Sequence, residues 1–363
     1  RDRRDSTGVR HLLHVFPSFG IGGIQVRFAR VANKLGGKYR HSVIALDGNV
    51  TCLDRMAPGL ATMVTPLDCR GLPSLRRMAA FIRALSPHKL LTYNWGATEW
   101  ALANRLFGHF EHIHFEDGFG AEEVNGQLLR RVLFRRLALG RVAKLVVPSM
   151  VLHDIAMRKW HLAAAAITYV PNGIDVAAFQ LPKIRRAGGP LVVGTIAPLR
   201  PEKNIGRLIR AFGQLGPDID ARLVIAGGGI ERPRLEALVV EHGLGDRVKF
   251  TGPISAPAEL LATLDVFAMS SDTEQMPLNV LEAMAAGLPV AGMDVGDVKF
   301  MLASANQDMI VPRGDQVGLG NAMRSLLRDK DLRQRLGAAN LTAARERFPE
   351  AAMVAAYDGL FGG

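Results

Sequence analysis

Two doubly wound α/β domains are predicted by this sequence, on three observations. Short apolar runs alternate with amphipathic helical stretches along almost the whole chain. The alternation breaks once, at Gln180–Pro190, and restarts at Leu191. The 363 residues amount to about two domains at roughly 150 residues each. With 48% hydrophobic and 22% charged residues, the chain has apolar material for two cores, which excludes dominant disorder.

The elements follow in order. Apolar runs of buried-parallel-strand type are Val9–Phe16, Ser42–Leu46, Lys89–Tyr93, His112–Phe115, Ala143–Val147 and Ile167–Val170. Helical periodicity falls between them, as at Ile24–Leu35 and Leu75–Leu85. The break carries Pro182, Lys183, Arg185, Arg186, Gly188, Gly189 and Pro190: chain breakers and charge without apolar period. The second series is Leu191–Ile196, Arg222–Ala226, Arg247–Thr251, Val266–Met269, Pro289–Ala291 and Met309–Val311, with helices such as Pro233–Glu241 between. Two Rossmann-like domains are therefore expected, at residues 8–180 and 190–345. A last helix, Pro349–Phe361, is expected to pack back toward the first.

Composition narrows the function classes. Cys52 and Cys69 are the two cysteines, and no CxxC occurs, so a disulfide scaffold or structural zinc is not expected and a reducing cytosol fits. No apolar run reaches the roughly 18 residues of a membrane span. The start, Arg1–Arg10, is charged and shows no signal-peptide pattern, and it lacks an initiator Met. Charge is uneven. Residues 1–181 hold 24 Lys and Arg against 13 Asp and Glu, while residues 182–363 hold 21 of each. A basic first half attracts an anionic partner: a membrane surface, a nucleic acid or an acidic ligand. With 6% aromatic residues, the interleaving that single-stranded nucleic acid needs is absent, and no nucleic-acid partner is expected.

Four segments carry candidate chemistry. After the first strand, Gly20-Ile21-Gly22-Gly23-Ile24-Gln25 opens a helix. Glycines there let a ligand approach the backbone near a helix N-terminus; an unliganded tight turn is the other reading. Gln25 replaces the third glycine of a dinucleotide fingerprint, although Asp47 stands where a ribose ligand could. After Leu191–Ile196, Arg200 and Lys203 are placed to hold a diphosphate, or form a solvated basic loop. In Glu274-Gln275-Met276-Pro277-Leu278-Asn279-Val280-Leu281-Glu282, Pro277 suits a first helical position and Gly287 a C-terminal cap, giving a ten-residue helix about 15 Å long. Glu274 then precedes the helix and Glu282 lies inside it, two carboxylates for hydroxyls of one extended ligand. Leu128–Leu139 sets Arg130, Arg131, Arg135 and Arg136 among leucines, with no acid between Glu123 and Asp154. Such a helix lies on an anionic bilayer or is a domain helix with a basic outer face. Asp218-Ile219-Asp220 precedes a strand, at the edge away from ligands, and is read as loop acid rather than metal ligand.

The ordered set resembles retaining family 4 glycosyltransferases of the GT-B architecture, in which two such domains face a central cleft. Glu-x7-Glu within EQMPLNVLEAMAAGLPV, GIGGIQ, Val147-Pro148-Ser149, Val170-Pro171-Asn172-Gly173-Ile174-Asp175 and Leu199–Asn204 carry the resemblance, which spans the chain from about Val9. It implies that Arg200 and Lys203 bind a donor diphosphate, Glu274 the donor sugar and Glu282 the ribose. Gly22 and Gly23 would pack near the phosphates and acceptor, and Asn172, Met276, Pro277 and Leu278 would line the donor site. A histidine beyond a first-domain strand contacts the sugar in that family; His114 in IHFEDGFG is the candidate, though Phe115 and Glu116 separate it from Asp117.

The implied activity is retaining transfer of a hexosyl group from a nucleotide-diphosphate sugar to a glycan or lipid-linked acceptor. Bacterial surface polysaccharide assembly would be the setting. No cofactor or metal is required, and the place is the cytoplasm, peripheral at the membrane face. A sugar-nucleotide epimerase of the same architecture and an NAD-dependent oxidoreductase are the alternatives.

Overall fold

In the computed structural model, the described residues are 8–69, 71–119, 121–123, 126–140, 143–184, 188–216 and 218–362. Gly120, Arg185, Arg186 and most of Arg1–Arg10, invoked above, lie outside them. The chain divides into two compact units. The first holds the residues up to Phe119, those through Asn172 from 126, and the C-terminal segment from Ala351. The second holds Gly173–Glu350 and the short segment before residue 125.

The first unit is a seven-stranded parallel sheet. Its strands are β1 (Arg10–Phe16), β2 (Tyr39–Ala45), β3 (Ala61–Met63), β4 (Lys89–Tyr93), β5 (Glu111–Phe115), β6 (Ala143–Val147) and β7 (Ile167–Tyr169). The order is β3-β2-β1-β4-β5-β6-β7. The second unit is a six-stranded parallel sheet of β8 (Leu191–Ile196), β9 (Ala221–Ala226), β10 (Val248–Gly252), β11 (Val266–Met269), β12 (Val290–Asp294) and β13 (Ile310–Pro312), ordered β10-β9-β8-β11-β12-β13. Both sheets reverse their winding beside their first strand, at β1/β4 and β8/β11. Ligands of doubly wound sheets bind beyond the carboxyl ends of strands at such points.

Central strands are covered on both faces, which is why they read as unbroken apolar runs. In β1, Leu13 and Val15 enter one core cluster while Leu12 and Phe16 enter another. β3 escaped the sequence reading because it has three residues, sits at the edge and is not fully buried.

Three expectations are corrected. The domain boundary lies at Asn172/Gly173 rather than within Gln180–Pro190, because Ile174 and Phe179 are buried in the core of the second unit. The helix after Glu274 is Leu278–Ala285, eight residues, with Pro277 as its N-cap and Ala286 as its C-cap; Gly287 follows at φ 69. Helix Leu129–Leu139 does not turn all four of its arginines outward. It buries Val132, Arg135, Ala138 and Leu139, and leaves Leu129, Leu133 and Leu137 exposed at 71%, 51% and 50%.

The C-terminal helix, Glu350–Gly362, belongs to the first unit from Ala351. Its Met353, Tyr357 and Phe361, spaced by one turn, join the cluster of Tyr39 and Phe115. Tyr357 stacks on Phe115 at 5.4 Å between centroids.

Candidate active site

The second unit concentrates the predicted polar residues at its winding reversal. β8 ends at Ile196, and the chain runs through Arg200 into a single turn, Pro201–Lys203. Asn204 then takes a left-handed conformation, φ 42, and caps helix Ile205–Gly213 by accepting from the Arg207 amide. This turn aims Lys203 at the loop after β11. Its ammonium donates to Glu274 Oε1 at 2.5 Å, and the Ser271 hydroxyl donates to the same oxygen at 2.7 Å.

Asp272 stitches the two loops together. Its amide donates to the Glu202 carbonyl, and its carboxylate accepts from Asn204 Nδ2 at 2.9 Å and from Arg207 at 2.7 Å. Arg207 also donates to the Ser270 carbonyl. Arg200 differs from Lys203. Its side chain is exposed and bonds to no partner among the described residues. One cation is thus open to an anion, and one is held by a carboxylate.

Glu282 sits in the second turn of Leu278–Ala285 and is 7% exposed, so it is not a surface acid. Asn279 ties this helix to the end of β8 by donating to the Ile196 carbonyl. Pro277 is buried at the helix start, whereas the Met276 side chain belongs to the apolar core and Leu278 is half-buried. Donor contact by the Met276 side chain is therefore corrected: only its backbone lies at the loop.

Two glycine segments escaped the sequence reading. Gly296, at φ 55, lies under the Glu274 loop, where any Cβ would run into the carbonyl oxygens of Glu274 and Gln275. Asp297 donates its amide to that Gln275 carbonyl at 2.8 Å. Gly227 and Gly229, at φ 143 and 157, lie equally close to the Ala197 and Leu199 carbonyls of the loop that carries Arg200. Three successive glycines after a strand were the available signal.

The first unit places its candidates differently. Gly22 caps helix Gly23–Leu35 in extended conformation. Gln25 folds back over the loop and donates to the Ser18 carbonyl at 2.8 Å, and its Oε1 lies where a Cβ on Gly22 would stand. Asp47 is exposed in a turn, accepting from the Asn49 amide.

His114 requires a correction. It lies inside β5, has no exposed surface, and bonds through Nδ1 to Thr92 Oγ1 at 2.7 Å. Strand alternation turns it into the sheet face with His112, and its Nε2 lies 3.6 Å from the buried Glu116 carboxylate. The polar groups beyond that end are Glu116 and Asp117. Glu116 is wholly buried and pairs at 3.2 Å with Arg135, whose guanidinium lies over Trp95, Trp160 and Phe119.

Asn172 is also occupied within the first unit. It is 4% exposed, and its Oδ1 accepts from Arg27 at 2.6 Å. Arg27 simultaneously pairs with Asp117. Burial works against the Arg27 charge, but Asp117 and Tyr357 more than offset it and hold its pKa above the ordinary value.

Asp218 is exposed before β9 and pairs with Arg328. Among the described residues no group of three His, Cys, Asp or Glu could hold a metal, and no helix is long and apolar enough to cross a membrane.

Residues 178–342 match the family model described as glycosyl transferases group 1. That segment, rather less than half of the chain, is similar to the group 1 glycosyltransferases. The chain is 26% identical to the 2-deoxystreptamine N-acetyl-D-glucosaminyltransferase of Streptomyces fradiae, over 88% of this chain and 86% of that one. It is 30% identical to the N-acetyl-alpha-D-glucosaminyl L-malate synthase of Bacillus anthracis, over 46% of this chain and 44% of the relative, so this alignment spans less than half of that relative's length. In fold it is similar to Anabaena HepE, solved in complex with UDP and glucose, with a TM-score of 0.81 at 18% identity over 97% of this chain and 99% of that one. The two parallel-sheet units are those of the GT-B fold. The family match covers the unit that gathers Arg200, Lys203, Glu274 and Glu282.

Proposed function

We propose that this chain is a retaining glycosyltransferase that uses a nucleotide-diphosphate sugar. The observation that carries the reading is the cluster of Arg200, Lys203 and Glu274 where β8 and β11 end. A diphosphate arriving there meets the open guanidinium of Arg200. It also offers Lys203 a stronger partner than one carboxylate oxygen. Lys203 then turns to the phosphate, and Glu274 is released to accept hydrogen bonds from sugar hydroxyls. Glu282 takes the ribose. HepE's complex with UDP and glucose supports a uridine donor as the first to try.

The chemistry asks for stabilisation of charge on the departing diphosphate, which Arg200 supplies together with Lys203 once it has turned from Glu274. The acceptor attacks from the face the diphosphate leaves, and a donor phosphate oxygen takes its proton, so no protein nucleophile is needed. A lipid-linked or glycan acceptor in surface polysaccharide assembly, in the cytoplasm at the membrane face, completes the reading.

The test is a donor panel: each common sugar nucleotide is incubated with the protein, with and without lipid extract, and released nucleotide diphosphate is measured. Acceptor-dependent release from one donor supports the reading. An epimerised donor without acceptor would replace it, and inertness toward every donor and acceptor would remove it. Turnover should survive EDTA, because Arg200 and Lys203 provide the positive charge; loss on chelation with recovery on adding Mg²⁺ would show that they do not suffice.

A further inference from the structure

Helix Leu129–Leu139 is turned inside out relative to an ordinary basic surface helix. Its one fully buried arginine, Arg135, is paired with Glu116 and caged by aromatic rings. Arg131 lies over Trp95 at 4.9 Å. The space those side chains take on the inner face leaves three leucines outside. Leu129, Leu133 and Leu137 follow at intervals of four, so they form one stripe along a helix of eleven residues, about 16 Å long. Leu106, 45% exposed, follows Arg105, which donates to the Leu137 carbonyl.

Charge beside the stripe is uncompensated. Arg130 is exposed. Arg136 donates to the Lys159 carbonyl and Arg105 to the Leu137 carbonyl, neither to a carboxylate, so both keep their full charge next to the leucines. No acid lies between Glu123 and Asp154 in the sequence. An apolar stripe bordered by unneutralised arginines matches acyl chains beneath anionic headgroups. A second copy of this chain does not match it, because the stripe would meet the same positive border.

We propose that this face docks the protein on an anionic phospholipid bilayer by inserting Leu129, Leu133 and Leu137 below the headgroup phosphates, which Arg105, Arg130 and Arg136 hold. This deepens the membrane side of the proposed function, and vesicle binding requires neither donor nor turnover, so the two can fail separately. It also changes the device. Attraction by arginines alone would vanish in salt, whereas insertion persists.

The experiment is co-sedimentation of the full chain with vesicles of phosphatidylglycerol and phosphatidylethanolamine, against vesicles of phosphatidylcholine. Salt is set at about 0.15 M, where the Debye length is about 8 Å, and at about 0.5 M. The wild type should bind the anionic vesicles and retain part of that binding at the higher salt. Leu129→Gln, Leu133→Gln and Leu137→Gln combined should weaken binding about 100-fold or more. Arg130→Gln should weaken it about fivefold, and only at the lower salt. The triple variant alters exposed positions alone, and circular dichroism checks its fold. Leu133→Trp gives a second readout: its emission should shift to the blue on anionic vesicles and be quenched by brominated acyl chains. A wild type that ignores the vesicles, a triple variant that binds like the wild type, or an unshifted tryptophan overturns the proposal. So does light scattering in which the triple variant converts a dimer to a monomer, since a second copy would then cover the face.

Discussion

Lys203 and Glu274 form an ion pair at 2.5 Å in the loops to which the proposed donor chemistry is assigned. The resemblance assigns them different duties, phosphate and sugar; the structure adds that they hold each other, and in the proposed function a ligand parts them. Lys203→Ala should therefore lower kcat on the order of 10²–10³ with a smaller change in donor KM, since charge on the diphosphate grows as the bond breaks. Arg200→Ala should act in the same direction, and the pair should be less than additive. Glu282→Ala should mainly raise donor KM. Steady-state kinetics on folded variants checks this, and near-normal kcat in Lys203→Ala would dismiss the diphosphate role. Gly296 supports the same loop from below. Gly296→Ala should cost roughly 1–3 kcal/mol in urea unfolding and depress activity, because a Cβ at positive φ must displace the Glu274 carbonyl. Unchanged stability would show that the loop yields freely.

Strands β1, β2 and β5 carry an unusual load of buried imidazole. His14 bonds through Nδ1 to the Tyr93 hydroxyl and through Nε2 to His41 at 2.9 Å, while His112 and His114 share the Thr92 hydroxyl. Burial first, and neighbouring histidines second, push His41 down to about 4 and His112 to about 3, and His14 well below its usual value. The folded pKa values lie below the unfolded one, near 6.5, so the rings stay neutral in the fold while the unfolded chain takes up protons. Stability is thus fully present above about pH 6.5 and falls as pH drops toward 4. Between about pH 7 and pH 5, His41 and His112 should each account for about 2 kcal/mol of lost unfolding free energy. Urea midpoints across that range test it, and Thr in place of His41 should flatten the slope. An equally steep slope in that variant would locate the protons elsewhere.

At the scale of the whole molecule, one helix crosses the sequence order. The C-terminal residues from Ala351 complete the core of the first unit, although the chain reaches them from the second. Phe361 meets Tyr39 edge-on at 5.5 Å, and Tyr39 donates its hydroxyl to Asp358. Phe361→Ala should destabilise the first unit by about 3–5 kcal/mol. Calorimetry should then show one transition lowered and the other, assigned to the second unit, unmoved. A shift of both together would mean that the units unfold as one.

The sequence by itself determined the alternation of strands and helices, both parallel sheets, and the loop residues Arg200, Lys203 and Glu274. These are local properties: strands buried on both faces are apolar throughout, and loops at strand ends carry their chemistry in short ordered segments. Tertiary packing decided what depends on neighbours distant in the chain. His114 looks like a strand-end ligand until Thr92, from the adjacent strand, claims its ring. The arginines of Leu129–Leu139 look like a solvated face until Glu116, Trp95 and Trp160 draw Arg135 inward and the leucines turn out. Gly296 is an ordinary turn glycine until the Glu274 loop lies against it. Periodicity records which residues share a face; only the partner packed against that face decides whether it looks inward or toward solvent.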